Sequence, residues 1–585
     1  MSRMTISNTV QAMESGKAEL RAARRESRML YWAVGLFSFF VNVLMLAGPL
    51  YMLNVYDRVL GSRSFETLLA LSVLVAFLFA TMAILDIVRG RVMGRVGARL
   101  QSRMDNRVFA ASLRGATIVG LKAEAASGTR DLESVQRLVV SPALMAVFDL
   151  PFAPLFFAGI FIFHPMMGYL ALAGAFVLFS LAIANQTMSR RPLAEANAAT
   201  QSAEMMGAQI RQEAELVLSL GMREAAFTRW RGARDAALEA SMGASDVSGS
   251  FTSVTRAIRL LLQSAMLGLG ALLVLRNELS PGAMIAGSIL LGRALAPIEM
   301  IVGQAALFQR AREGWRNLST LLGNVPVQER RTALPPPRAK LEVDQATVLL
   351  AGEQVPTLRA ISFSVGPGQA VGVIGPSGAG KTTLAKALTG FISPMAGRIR
   401  LDGAPLDQYE PEMLGRYIGY LPQRVALFDG TIKDNIARLS PDPDDDAVVL
   451  AAKRAGAHDM ILKLPSGYDT HLRGNGDRLS GGQIQRIGLA RAMYGEPVML
   501  VLDEPNSNLD NDGSMALNDA VRDYKAAGRC VLIMAHRPAA IQHCDLLLVL
   551  DGGTRRSFGP KDEVLRELVK NHEEIQNSKG SGGVS

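Results

Sequence analysis

The sequence predicts a multi-domain chain: an all-α unit with six transmembrane helices, followed by an α/β P-loop domain. Three observations carry that reading. Six apolar stretches long enough to cross a bilayer precede residue 303, short strand-like runs alternate with helix-like ones from Leu341 onward, and one of those strands ends in a glycine-rich turn. At 585 residues the chain is too long for one core. Hydrophobic residues make up 49% of it and the mean hydropathy is +0.19, high for a wholly soluble protein. The formal charge of +9 suits nucleic acid, anionic lipid or positively charged cytoplasmic loops. No lysine cluster is interleaved with aromatics, so nucleic acid is not expected as a partner.

Residues 1–28 are polar and read as a cytoplasmic lead, too long before the first apolar run for a cleavable secretory signal. The transmembrane domain is expected over 29–322, with membrane helices at 29–53, 67–88, 142–163, 166–186, 258–275 and 283–302. Connections after the first, third and fifth are short. Those after the second and fourth are long, arginine-rich and helix-compatible, so they should be cytoplasmic and extend the membrane helices into the cytosol. Asp149 and Arg293 fall inside the spans, where an ionisable group needs a reason. They either line a polar conduit or form structural interhelical pairs. Pro151, Pro154 and Pro297 should kink or end their helices. A linker is expected at 323–340, around Pro335, Pro336 and Pro337, then the α/β domain over 341–570 and a disordered tail at 571–585. Cys530 and Cys544 read as unpaired core thiols in a reducing cytosol.

The glycine-rich turn is Gly375-Pro376-Ser377-Gly378-Ala379-Gly380-Lys381-Thr382-Thr383, after the apolar run Ala370, Val371, Gly372, Val373, Ile374. A buried strand that turns through glycines into a helix aims backbone N–H groups and the positive end of the helix dipole at one point, which suits phosphate. Lys381 would sit on the β- and γ-phosphates and the Thr382 hydroxyl on Mg²⁺. A second apolar run, Val498 to Leu502, ends in Asp503 and Glu504. Asp503 is placed to hold Mg²⁺ and Glu504 to polarise the attacking water. Between them lies Leu479-Ser480-Gly481-Gly482-Gln483, where Ser480 makes a good N-cap and the glycines leave N–H groups open to an anion. One nucleotide needs one P-loop. A second phosphate-binding helix start is best explained if it closes over ATP held by another copy.

Together the P-loop, the LSGGQ run, the Asp503-Glu504 pair, Gln423 in Leu-Pro-Gln, Asp510 in Ser-Asn-Leu-Asp and His536 after an apolar strand resemble the nucleotide-binding domain of ABC transporters. The resemblance implies an ABC exporter fold, ATP and Mg²⁺ as ligands, and hydrolysis coupled to transport. It also implies a head-to-tail homodimer. Each ATP would lie between the P-loop of one copy and Ser480, Gly481, Gly482 and Gln483 of the other, with Asp510 nearby. His536 would touch the γ-phosphate, and Gln423 would approach the metal and report the phosphate to the membrane helices.

The membrane half, in Pro49 to Leu60, Phe148 to Pro154 and Gly292 to Glu299, resembles the type I secretion exporters of Gram-negative bacteria, in their protease and lipase branch. That likeness implies an inner-membrane location with the nucleotide-binding domain cytoplasmic. It further implies a periplasmic adaptor (membrane fusion protein), an outer-membrane channel protein, membrane lipid around the spans, and an unfolded protein substrate with a C-terminal signal. Related bacteriocin exporters carry an N-terminal cysteine protease, whereas the first cysteine here is Cys530, so leader cleavage is not expected. The family commonly stacks adenine on an aromatic upstream of the P-loop, yet 341–358 holds none. Export of a lipid or small molecule, or a nucleotide-gated regulatory role, are the alternative functions.

Overall fold

The computed structural model describes residues 3–327, 331–472, 479–535 and 541–567. It separates into two compact units, Met1–Val327 and Gln328–Ser585. The expected tail lies outside the described residues.

The first unit is all helical and carries six spans long and apolar enough to cross a membrane. The first, Arg28–Ser62, is interrupted at Met45 and Leu46 and closes through a π-helical turn at Val55–Val59. Helix therefore continues into what the sequence presented as a connection at 54–66, and the reversal takes only Arg63 and Ser64. Arg63 supplies the left-handed turn (φ 52°), and Ser64 accepts from the Thr67 amide at 3.2 Å to cap the next helix. That helix, Phe65–Gly115, runs for 51 residues without a break, and Arg223–Leu275 for 53, each spanning about 75–80 Å at 1.5 Å per residue. No proline or cap interrupts either sequence, so the membrane helix and its polar extension are one rod. The third span does break, at the 3₁₀ turn Leu150–Phe152, where Pro151 removes a donor. Pro297, by contrast, sits inside the continuous helix Pro281–Gly303. In the most apolar window of Phe65–Gly115 no residue is fully buried, so much of this helix is open to lipid or another chain.

The Asp149 carboxylate is paired. Arg89 donates to Asp149 Oδ1 at 2.6 Å, to Ser38 Oγ at 3.0 Å and to Asp86 Oδ1 at 2.5 Å, and Asn42 adds a bond to the same Asp149 oxygen at 3.0 Å. Asp149 is thus a structural tie among the first three spans, the second of the two roles its position allowed. Arg293 is exposed on its helix. The polar lead forms the helix Arg3–Arg25; its Leu20 is buried, and its Glu19 takes two bonds from Arg107.

The second unit is α/β. Its strands are β1 (Leu341–Val348), β2 (Leu358–Val365), β3 (Ala370–Ile374), β4 (Ala396–Leu401), β5 (Ala404–Pro405), β6 (Ile418–Leu421), β7 (Gly430–Thr431), β8 (His471–Leu472), β9 (Met499–Asp503), β10 (Cys530–Met534), β11 (Leu546–Asp551) and β12 (Thr554–Pro560). An antiparallel sheet orders them β2-β1-β4-β5, and a mainly parallel one β12-β11-β3-β10-β9-β6. The three central strands of the parallel sheet are buried almost throughout, which is why they read as uninterrupted apolar runs rather than alternating ones. Cys530 and Cys544 are free and buried, and burial pushes both thiols up to about 12.

Candidate nucleotide site

Ligands of open parallel sheets gather beyond the carboxyl ends of the strands, and here β3 and β9 flank β10 with their carboxyl ends together. From β3 the chain turns through residues 375–380 into the helix Lys381–Leu388. The N-cap of that helix is Gly380 at φ 96°, a left-handed backbone that an L side chain rarely adopts, and a Cβ there would come within 2.6 Å of Leu358. Glycine leaves the helix start without a side-chain cap, so its first amides stay open. Lys381 is buried and donates back to the carbonyls of Gly375 at 2.8 Å and Pro376 at 3.0 Å. Burial lowers its ammonium from the usual lysine range, against the pull of Glu504 and Asp503.

Asp503 ends β9 almost fully buried; the Thr382 hydroxyl lies beside it, but among the described residues neither carboxylate oxygen has a hydrogen-bond partner in good geometry. Burial raises its carboxyl above the usual range, with Glu504 adding to that, while the Thr382 hydroxyl and Lys381 beside it pull the other way. A buried carboxylate with both oxygens orphaned, next to a hydroxyl, is a hard oxygen donor set of the kind Mg²⁺ takes; these residues fit the ion. Glu504 follows with φ 50°, left-handed for a residue with a side chain. Its amide donates to Met534 O at 3.0 Å, which fixes the turn, and its Oε2 accepts from Gln423 Nε2 at 3.1 Å. The structure therefore gathers the P-loop, Asp503, Glu504 and Gln423 around one point. His536 lies outside the described residues.

The Ser480 motif is built differently. Ser480 caps the helix Gly481–Met493 in a closed capping box: Gln483 N donates to its hydroxyl at 3.3 Å, and its own amide donates to Gln483 Oε1 at 2.9 Å. Gly482 packs where a Cβ would meet Asn508 O at 2.9 Å. Asp510 caps the helix Asn511–Ala526, accepting from Gly513 N at 2.8 Å, and also pairs with Arg486 of the Ser480 helix. Those bonds hold its carboxyl below the usual range. Sequence reasoning did not find that pair, or the left-handed Glu504, since neither has a local pattern.

A family model described as "ABC transporter transmembrane region" matches residues 31–295, and one described as "ABC transporter" matches 358–507. The type I secretion system ATP-binding protein PrsD of Rhizobium meliloti is 38% identical over 553 residues, covering 94% of this chain and 95% of that protein. The chain belongs to the ABC transporters, among those of type I secretion. The cyclolysin secretion/processing ATP-binding protein CyaB of Bordetella pertussis is 29% identical, over 92% of this transporter and 76% of its own length. The leukotoxin translocation ATP-binding protein LktB of Mannheimia haemolytica is also 29% identical, over 94% and 77%. A solved bacterial Atm1-family ABC exporter with ATP bound superposes with a TM-score of 0.78 at 23% identity, covering 96% of this chain, and shares its fold. As a member of the family, the transporter couples ATP hydrolysis to movement across a membrane.

Proposed function

We propose that this transporter is the inner-membrane ATPase of a type I secretion system, exporting an unfolded protein with a C-terminal signal through a periplasmic adaptor and an outer-membrane channel. The observation that carries the reading is the likeness to PrsD along 95% of that protein, membrane and motor units together. In the proposed mechanism the open amides of residues 375–383 and the Lys381 ammonium hold the phosphates of ATP, with Lys381 exchanging its two carbonyl partners for phosphate oxygens. Mg²⁺, held by Thr382 and Asp503, supplies positive charge against the phosphates. Glu504 accepts the proton of the attacking water, and Gln423 fixes which carboxylate oxygen faces it. His536 is proposed to touch the γ-phosphate.

One chain carries one P-loop and one Ser480 turn, and each active site is proposed to need both from different copies. A homodimer follows, with the motor domains cytoplasmic. The Ser480 hydroxyl, whose oxygen accepts from Gln483, has its proton free to donate across the interface.

The test is co-expression with an adaptor, an outer-membrane channel and a reporter ending in a type I signal. Wild type should place the reporter in the medium and Glu504→Gln should retain it. Secretion unaffected by Glu504→Gln overturns the reading, and ATP-dependent lipid movement in vesicles without any protein cargo would favour a lipid exporter instead.

A further inference from the structure

Two half-buried arginines in the motor unit have no carboxylate partner among the described residues; every acceptor they meet there is a backbone carbonyl or an amide oxygen. Arg438 donates from Nε to Arg491 O at 3.0 Å and from Nη2 to Ala492 O at 3.0 Å. Those are carbonyls of the last turn of the Ser480 helix, groups that a helix leaves unpaired and that carry its negative dipole end. Arg491, on that same last turn, does the converse. Its Nε donates to Asn435 O at 2.9 Å, in the final turn of the helix Ile432–Ile436, its Nη2 to Asn435 Oδ1 at 2.7 Å and its Nη1 to Ala426 O at 2.8 Å.

Each arginine thus meets the carboxyl end of a helix: Arg438 that of Gly481–Met493, which carries Arg491, and Arg491 that of Ile432–Ile436, which ends two residues before Arg438. Asn435, fully buried, completes the joint: Nδ2 donates to Phe428 O at 2.9 Å and Thr431 O at 3.0 Å, and Oδ1 accepts from Phe428 N at 2.8 Å. The Arg491 guanidinium also lies 5.4 Å from the Phe428 ring centre. The backbone is bent to make this arrangement, since Arg438 and Leu439 are both left-handed, at φ 57° and 59°. Burial lowers the Arg491 guanidinium to about 10, with Arg438 beside it adding to the effect; neutral acceptors and the Phe428 ring hold the two cations together.

We propose that Arg438 and Arg491 are positioning residues that join the segment leaving Gln423 to the helix led by Ser480, so that a shift of Gln423 on phosphate binding moves Ser480 toward the partner's ATP. The chain of contacts is continuous from residue 426 to residue 438 and from there along one helix to Ser480. Neither arginine touches nucleotide. The segment after Glu504 also reaches this helix, through Gln485 Nε2 to Pro505 O at 3.2 Å and the Arg486–Asp510 pair, but neither contact involves the segment leaving Gln423. The inference rests on the proposed ATP-driven closure.

The experiment is amide hydrogen exchange on the full-length protein, with and without ATP under non-hydrolysing conditions (EDTA), alongside steady-state ATPase assays. In wild type, ATP should slow exchange in both 424–431 and 480–486. In Arg438→Ala, ATP affinity in EDTA should stay within about twofold and 424–431 should still be protected, but 480–486 should lose its response, with kcat falling roughly tenfold at little change in KM. Arg438→Lys, which keeps one donor, should restore part of both. Protection of both segments in Arg438→Ala as in wild type overturns the inference. If Arg438→Ala does not fold, the same two-segment comparison is made on Arg438→Lys, where undiminished protection of 480–486 and a wild-type kcat overturn it. Absence of ATP protection in both segments of wild type would count against the closure model itself, a separate result.

Discussion

The helix that starts at Lys381 and the one that starts after Ser480 are both anion-binding helix starts by sequence, yet their first turns are finished in opposite ways. The first has glycine at its N-cap, no side-chain cap, and a lysine folded onto two carbonyls of its own loop. The second is closed by reciprocal bonds between Ser480 and Gln483. An open start has unmet donors and a cation at hand, so it can bind a triphosphate by itself. A closed start has met two of its donors internally and keeps only a hydroxyl proton and the glycine amides for an anion, which suits a terminal phosphate already held elsewhere. On the proposed function, the difference accounts for one chain carrying two such turns and one nucleotide site.

The largest effect should come from the open turn. Lys381→Ala removes the principal counter-charge to the phosphates and should lower ATP turnover roughly 10³-fold in a phosphate-release assay. Wild-type turnover in that variant would break the distinction at its stronger end. Next comes Ser480→Arg, which should leave ATP affinity at the P-loop within about twofold while turnover falls on the order of 100-fold, because the trans partner no longer reaches the phosphate. Loss of nucleotide binding in that variant would mean that both turns act on one ATP within one chain.

A third prediction concerns pH. The Asp503 carboxyl is raised by burial above its ordinary 3.8, so between that value and its folded-state value the folded protein holds a proton that the unfolded chain has released. Stability should therefore fall as pH rises through that window, and above it the nucleotide-free protein carries the cost of a buried carboxylate that Thr382 and Lys381 only partly offset. Asp503→Asn should flatten this part of the pH profile and raise the melting temperature in EDTA at pH 7, while losing the stabilisation that wild type gains from Mg²⁺ and ATP. A variant less stable than wild type in EDTA would show that the carboxylate has a structural partner.

The open turn was legible in the sequence because every feature that makes it work is local: an apolar strand, glycines at fixed offsets, a lysine and a threonine at the helix start. Asp503 and Glu504 were legible for the same reason, as the end of a strand buried on both faces. What the sequence did not carry are pairings between distant segments. Arg438 and Arg491 lie 53 residues apart and meet carbonyls, which have no residue code. Arg89 and Asp149 are 60 apart, so Asp149 alone could be read either as part of a conduit or as a tie. The helical course of residues 54–62 was missed because a polar Asn-x-x-Asp-Arg run between two membrane spans reads as loop, although the helix persists there through a π turn.

The smallest predicted effect tests how the closed turn keeps its shape. Gln483→Ala removes one half of the capping box, the bond from the Ser480 amide at 2.9 Å, and leaves the Ser480 hydroxyl bonded to the residue 483 amide. The lost bond is exposed and water can replace it, so the cost should be about 0.5–1 kcal/mol, or about 1–4 °C in the melting temperature of a unit this size. Turnover should fall only severalfold, because the hydroxyl proposed to reach the partner's phosphate is still aimed by the remaining half of the box. A loss as deep as that of Ser480→Arg, with unchanged melting, would assign Gln483 a direct contact with nucleotide, and the second turn would then be as open as the first.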